Sequence, residues 1–355
     1  MTYEAGLQTI IDSVAALDTS FETQAWERLD GLTKPPRSLG RLEELAAHMA
    51  VVERTVRPTA SPMAIVLMAG DHGVVAEGVS PYPQEVTRQM VANFSAGGAA
   101  INQIAAYVGA ELVLVDVGIA GDVSVVPGVR HAKVRAGTRN MAEGPAMTRD
   151  EAIEAVLVGV NIARELASAG VKLIGTGEMG IGNTTAAAAL TAVYAGVEPA
   201  SVVGRGTGLD DDGVVRKARV IARALEVNSV AGLDGLGVLA AVGGLEIAGL
   251  VGVFIGAAAS GVAAVSDGFI SGAALLAATR ICPACAGFVF PSHRSVEPGH
   301  STVLDALGLT PVLDLDMRLG EGTGAALAMG VIDVACKVMC GMATFGSAGV
   351  SDRGQ

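Results

Sequence analysis

Residues 63–69 read Met-Ala-Ile-Val-Leu-Met-Ala, seven apolar side chains in succession with no polar alternation. A strand with one wet face alternates; a strand buried on both faces does not, and such strands belong to parallel sheets covered by helices. Working outward, similar mostly apolar runs recur at residues 111–117, 171–174, 201–203, 262–265 and 288–290. Helical spacing separates most of them, notably over 149–169, 184–194, 213–225 and 268–279. Strands alternating with helices imply right-handed crossovers and a mostly parallel sheet. The predicted fold is therefore α/β, a mostly parallel Rossmann-like sheet flanked by helices, with a small helical domain. Residues 1–60 read as that helical region, where Ser38 follows the Pro35-Pro36 break and caps a helix through Glu43, Leu45, Ala46 and Met49. A C-terminal helix over 324–345 completes it in this reading, and residues 61–323 form the α/β domain that binds nucleotide and base.

The chain has 355 residues, enough for a large core or for a main domain with a small satellite. Lys and Arg number 24 against 36 Asp and Glu, a net charge of −12, with a pI near 4.9. That balance excludes nucleic acid and anionic membrane as expected partners, because both need clustered cations. The 47 glycines fall in short clusters between apolar runs, as loops between strands and helices do. A mean hydropathy of +0.50 raises the question of a membrane span, and residues 247–266 are uncharged over a sufficient length. That stretch is mostly Gly, Ala, Ser and Val, lacks basic or aromatic flanks, and is split by Gly261, so it reads as a buried helix followed by a buried strand. The N-terminal residues carry no basic and apolar leader pattern, which gives a cytoplasmic expectation. Cys282 and Cys285 form Cys-Pro-Ala-Cys, and Cys336 and Cys340 lie four apart. Redox or zinc readings exist for such spacings, but small core residues in a reducing compartment account for them more simply. The five histidines, at 48, 72, 131, 293 and 300, show no metal-binding spacing, and no metal is expected.

Ligands of open α/β sheets bind at the carboxyl ends of the strands, so four loops carry the chemical interest. Residues 175–185, Gly-Thr-Gly-Glu-Met-Gly-Ile-Gly-Asn-Thr-Thr, contain Gly-x-Gly-x-x-Gly at Gly175, Gly177 and Gly180. A dinucleotide site is the obvious reading, yet Glu178 inside the loop would repel a pyrophosphate, and no ribose-binding acid follows a second strand. Amides of Gly177, Gly180 and Gly182 with one carboxylate suit a ligand with a phosphate at one end and developing positive charge at the other. In the next loop, Gly204 and Gly206 precede Asp210, Asp211 and Asp212, with Lys217 a turn further on. Helix capping and phosphate binding both fit that pattern. Tyr82, one of four tyrosines, lies on the loop after the first strand and is either a packing residue or a wall for a flat ligand. Glu321 stands between two glycines at the mouth of a helix, where the dipole and loop amides are expected to keep it ionised and able to act as a general base; charge capping is the alternative.

Six strings, LTKPPRSLGRLEELA (32–46), GDHGVVAEGVS (70–80), GTGEMGIGNTTAAAA (175–189), DGFISGAALLA (267–277), PSHRSVEPGH (291–300) and RLGEGTGAALAM (318–329), resemble those of the nicotinate-nucleotide–dimethylbenzimidazole phosphoribosyltransferases, in order and over nearly the whole chain. The resemblance implies a homodimeric enzyme in which benzimidazole nitrogen attacks C1′ of nicotinate mononucleotide and nicotinate leaves. The product would be α-ribazole 5′-phosphate, with no cofactor and no obligatory magnesium. The family's catalytic glutamate falls on Glu321, its loop glutamate on Glu178, its phosphate-side lysine on Lys217 and a donor-contacting serine on Ser295. Base-pocket positions fall on Tyr82, Met90, Met179 and Leu319. Tyr82 and Met90 stand where some members carry a small residue and an amide, which predicts a more apolar pocket favouring dimethylbenzimidazole over purines.

Overall fold

The computed structural model describes residues 3–206 and 208–351. Six strands form one wholly parallel sheet: β1 (Met63–Gly70), β2 (Ala110–Gly118), β3 (Val129–His131), β4 (Leu173–Met179), β5 (Ala263–Ser266) and β6 (Val289–Pro291). Their spatial order is β3-β2-β1-β4-β5-β6, which reverses direction between β1 and β4. The 63–69 run forms the centre, with Met63 paired to Ala110 on one side and to Leu173 on the other, and all eight residues of β1 are buried. Ile65 packs beside the Thr323–Gly341 helix and Met68 packs against Gly249 of the Leu245–Ala259 helix. Three residues apart on one strand, they face opposite sides of the sheet, so both faces are covered and alternation has no function.

Residues 247–266 form most of the fully interior helix Leu245–Ala259 and then β5, as the sequence implied. That helix lies so close to Arg149–Ser168 that a Cβ at Gly159 would stand 1.9 Å from the Gly249 carbonyl oxygen. Only hydrogen fits there, which explains a glycine in mid-helix despite its low propensity. The Thr323–Gly341 helix is long and apolar enough to cross a membrane by composition, but its Ala325, Met329 and Ile332 face are core residues. All four cysteines are free thiols.

Three expectations are corrected. Residues 201–203 are not a strand: Pro199 starts a single helical turn, Pro199–Val202, and only Val203 is extended. Proline at the first position presets the helical φ, and a short Ser-Val-Val run without a sheet neighbour has nothing to pair with. The edge strand β3 was not apparent, because Val-Arg-His has no apolar run. Most consequentially, Gly175 to Met179 continue β4, so the apparent glycine loop is strand for its first half and a turn only from Gly180 to Gly182. The N-terminal helices divide. Leu7 on Tyr3–Ser13 is buried on the α/β body, and Arg149 pairs with Glu4 at 2.8 Å. Glu22–Asp30 instead meets the end of Thr323–Gly341, where Arg28 donates to the Met339 and Met342 carbonyls.

Candidate active site

The carboxyl ends of β1, β4, β5 and β6 surround a cavity of about 440 Å³. A sheet places strand ends side by side, and the direction reversal between β1 and β4 opens a crevice there. Its lining combines the apolar side chains Tyr82, Val86, Met90, Met179 and Leu319 with the polar Glu178, Asp267, His293, Ser295, Glu297 and Glu321.

Glu178 is the penultimate residue of β4 and reaches the cavity because its strand ends there. Asn183 at the start of the next helix donates to its Oε2, and Gly320 leaves room for its Oε1. Burial, followed by the charges of Asp267, Glu246 and Glu321, pushes Glu178 up to about 8. Behind the Gly180 turn lies an ion pair out of solvent, with His72 Nε2 2.6 Å from Glu246 Oε1. A Cβ on Gly180 would meet the Gly70 carbonyl at 2.3 Å, so the turn is pressed onto the end of β1.

Glu321 has φ +63°, between Gly320 and Gly322 at +82° and +85°. For a glutamate this left-handed conformation is strained by about 1–3 kcal/mol, and such strain collects at working sites. The sequence reading had the helix amides holding Glu321 ionised; the structure assigns those amides to Asp267. Its Oδ1 accepts from Ala325 N at 2.8 Å and its Oδ2 from Gly322 N at 3.2 Å. Glu321 Oε2 is left without a partner among the described residues. Burial first, and the Asp267 carboxylate second, push Glu321 up to about 7. A carboxylate poised near neutrality with a free oxygen can remove a proton from a ligand nitrogen at physiological pH.

The other expected residues divide between the cavity wall and the layer behind it. Tyr82, Met90, Met179, Gly180, Gly206, Ser295 and Leu319 line the cavity with the two glutamates. Gly177 does not: it lies in β4, where a Cβ would stand 2.7 Å from the Glu321 carbonyl oxygen. It therefore gives clearance to the Glu321 loop, and its amide belongs to the sheet. Gly182 caps the Asn183–Ala195 helix at φ +95°, and Gly204 abuts the Glu297 carboxylate. Lys217 is buried one layer back, its Nζ donating to Thr184 Oγ1 at 2.6 Å, while Thr184 itself faces the cavity. Burial lowers Lys217 to about 8, opposed by the charge of Glu297. Arg318 crosses to the Gly206 carbonyl at 3.2 Å and ties the Glu321 loop to the Gly204–Gly206 loop.

Asp267, His293, Asn183, Thr184, Glu297 and Arg318 were not singled out in the sequence. The signal for Asp267 was present, since it follows the apolar run 262–265 after one intervening residue, and the strand-end rule applies there as it does elsewhere. Asn183 and Thr184 lie within the 175–185 stretch, but only an ordinary helix start marked them individually.

A cavity at strand ends that joins apolar side chains, carboxylates and glycine turns suits transfer of a sugar phosphate onto a flat base, and the known proteins that share this chain's pattern carry that name. A family model described as Phosphoribosyltransferase matches residues 14–350. The nicotinate-nucleotide–dimethylbenzimidazole phosphoribosyltransferase of Chloroflexus aggregans is 52% identical over 347 residues, covering 98% of each chain. The enzyme of the same name from Solidesulfovibrio magneticus is 52% identical over 349 residues, 98% of this chain and 99% of that one. The crystal structure of CobT from Thermus thermophilus superposes with a TM-score of 0.90 at 49% identity, over 94% of this chain and 99% of that chain. On this extent of agreement in sequence and fold, the chain belongs to the nicotinate-nucleotide–dimethylbenzimidazole phosphoribosyltransferase family.

Proposed function

We propose that this enzyme moves the 5-phosphoribosyl group from nicotinate mononucleotide to 5,6-dimethylbenzimidazole, giving α-ribazole 5′-phosphate and nicotinate, with Glu321 as the base. The observation that carries the assignment of the base is the unpartnered Glu321 Oε2 in a residue that lines the same cavity as the apolar side chains. The benzimidazole lies between Tyr82, Met90, Met179 and Leu319, presenting one ring nitrogen to C1′ and the other to Glu321. As the new N–C1′ bond forms, the second nitrogen becomes acidic and Glu321 takes its proton. The old C1′–N bond breaks with its electron pair going to the nicotinate ring, which leaves without needing a proton.

Glu178 faces the charge that develops on the sugar. In the empty cavity it holds a proton, because burial and three neighbouring carboxylates raise it. The pyridinium of the donor supplies the positive charge that favours its ionised form, and an ionised Glu178 then stabilises the oxocarbenium character at C1′. Gly180, Gly206 and Thr184 form the phosphate end, with Lys217 behind Thr184 as its cation. Ser295 meets the donor. Gly177, Gly182 and Gly204 shape these turns from behind. The enzyme works as a homodimer in the cytoplasm, with the Glu22–Asp30 and Arg41–Glu53 helices and the far end of Thr323–Gly341 as its small helical unit.

Purified protein incubated with both substrates and a chelator should yield nicotinate and α-ribazole phosphate in equal amounts by chromatography and mass. Absence of both products under those conditions, with metal then restored and still no product, would reject the reaction.

A further inference from the structure

His293 is used by nothing in the mechanism above, yet it is walled into the cavity with one ring nitrogen idle. It follows β6, is 1% exposed and lines the cavity beside Asp267, Gly268 and Ser295. Its Nε2 has no hydrogen-bond partner among the described residues. A buried polar atom left unpaired is costly, and native proteins rarely keep one without a ligand or water to satisfy it.

The neighbouring bonds determine what that nitrogen offers. Ser292 Oγ donates its single proton to the Asp267 carbonyl at 2.8 Å. At its other contact, 3.1 Å from His293 Nδ1, the same hydroxyl must accept, so Nδ1 carries the hydrogen. In the neutral ring Nε2 then presents a bare lone pair, which seeks an O–H or N–H donor. The adjacent His300 is locked in the opposite tautomer: Ser295 N donates to its Nδ1 at 2.9 Å, and burial lowers it to about 3. It stays neutral and leaves His293 as the acceptor. Two glycines hold the ring. A Cβ at Gly324 would stand 1.9 Å from Nδ1, and one at Gly268 would stand 3.5 Å from Nε2, so glycine at 268 keeps open the approach a side chain would fill.

We propose that His293 is a specificity-determining residue for the donor sugar: its Nε2 accepts a hydrogen bond from a ribosyl hydroxyl. This rests on the phosphoribosyl transfer assigned above. The nicotinate carboxylate and the phosphate are acceptors and the benzimidazole N–H is given to Glu321, so among the bound groups the ribose hydroxyls are the donors left for Nε2. The residue recognises ribosyl over deoxyribosyl donors and fixes the ring that carries C1′ beside Glu178 and Asp267.

The test compares nicotinate mononucleotide with its 2′-deoxy and 3′-deoxy forms as donors, using wild type, His293→Asn and His293→Gln. The asparagine amide ends near the Nδ1 position and keeps the Ser292 contact; the longer glutamine reaches the Nε2 position. Wild type should prefer the full ribosyl donor over one of the deoxy donors by at least about tenfold in kcat/KM, the size of one buried hydrogen bond. Asparagine should erase most of that preference and glutamine should restore part of it. Deoxygenation changes the intrinsic reactivity of C1′ equally in every variant, so the ratio between enzymes isolates the contact. If asparagine discriminates as wild type does, the inference falls. Should that variant not fold, Gly268→Ala fills the approach to Nε2 and must produce the same collapse of discrimination; unchanged discrimination there overturns the inference too. Failure of the wild type to use nicotinate mononucleotide at all would instead overturn the underlying reaction, and this inference with it.

Discussion

Glu321→Gln offers the sharpest perturbation, because it keeps volume and polarity while removing the ability to take a proton. The structure predicts the form of the effect as well as its size. With Glu321 near 7, the carboxyl is half ionised at pH 7 and about one-tenth ionised at pH 6. A raised carboxyl value means the proton-free, active form grows as pH rises, so wild-type kcat/KM should climb about tenfold per unit up to a bend near 7. General-base assistance contributes about 10²–10⁴-fold, which sets the expected loss in the glutamine variant. The variant should also lose the acid limb. Initial rates of nicotinate release, followed by chromatography between pH 5 and 9, measure both features. Glu178→Gln serves as the control. Replacing it removes the charge that faces C1′ but leaves Glu321 as proton acceptor, so that variant should lose rate yet keep the acid limb. A Glu321→Gln enzyme within about threefold of wild type, or one that retains the acid limb, refutes the assignment of the base.

Three further outcomes follow from the same site. Glu178 favours its proton in the folded state, at about 8 against an ordinary 4.5, so its contribution to stability is full at low pH and is lost as pH rises through that window. Glu178→Gln should therefore melt progressively higher relative to wild type from pH 5 to about 8 and level off above it, by calorimetry, with a slope up to about 1.4 kcal/mol per unit; a pH-independent difference contradicts the burial argument. Gly177→Ala inserts a methyl 2.7 Å from the Glu321 carbonyl oxygen and should lower kcat by about 10²-fold while the circular dichroism stays native, since small misplacements of a reacting group are that costly. In a competition between equal dimethylbenzimidazole and adenine, the apolar side chains of Tyr82, Met90 and Met179 should give the benzimidazole product in clear excess, because purine nitrogens lose hydrogen bonds there. Comparable yields would remove those side chains as the source of selectivity.

Local pattern was sufficient for much of the architecture. Seven unbroken apolar residues mean a strand with two covered faces wherever they occur, so β1 and its parallel neighbours were readable without coordinates, as were the long helices between them. The helix and strand within 247–266 were readable because Gly261 marks the break. The two glutamates were legible as charged residues set among glycines, Glu178 at the end of an apolar run and Glu321 at the mouth of a helix, although charge capping would equally account for Glu321. Tertiary structure alone decided what those residues experience. The Gly175–Met179 stretch is strand because a neighbouring strand and the Glu321 loop press against it, and no local propensity records that pressure. The helix amides expected to serve Glu321 go to Asp267, which lies 54 positions earlier and arrives only when β5 pairs beside β4. Whether a carboxyl is ionised depends on water excluded and charges brought near by distant parts of the chain, so the sequence named candidate carboxyls while the fold decided in which protonation state they wait.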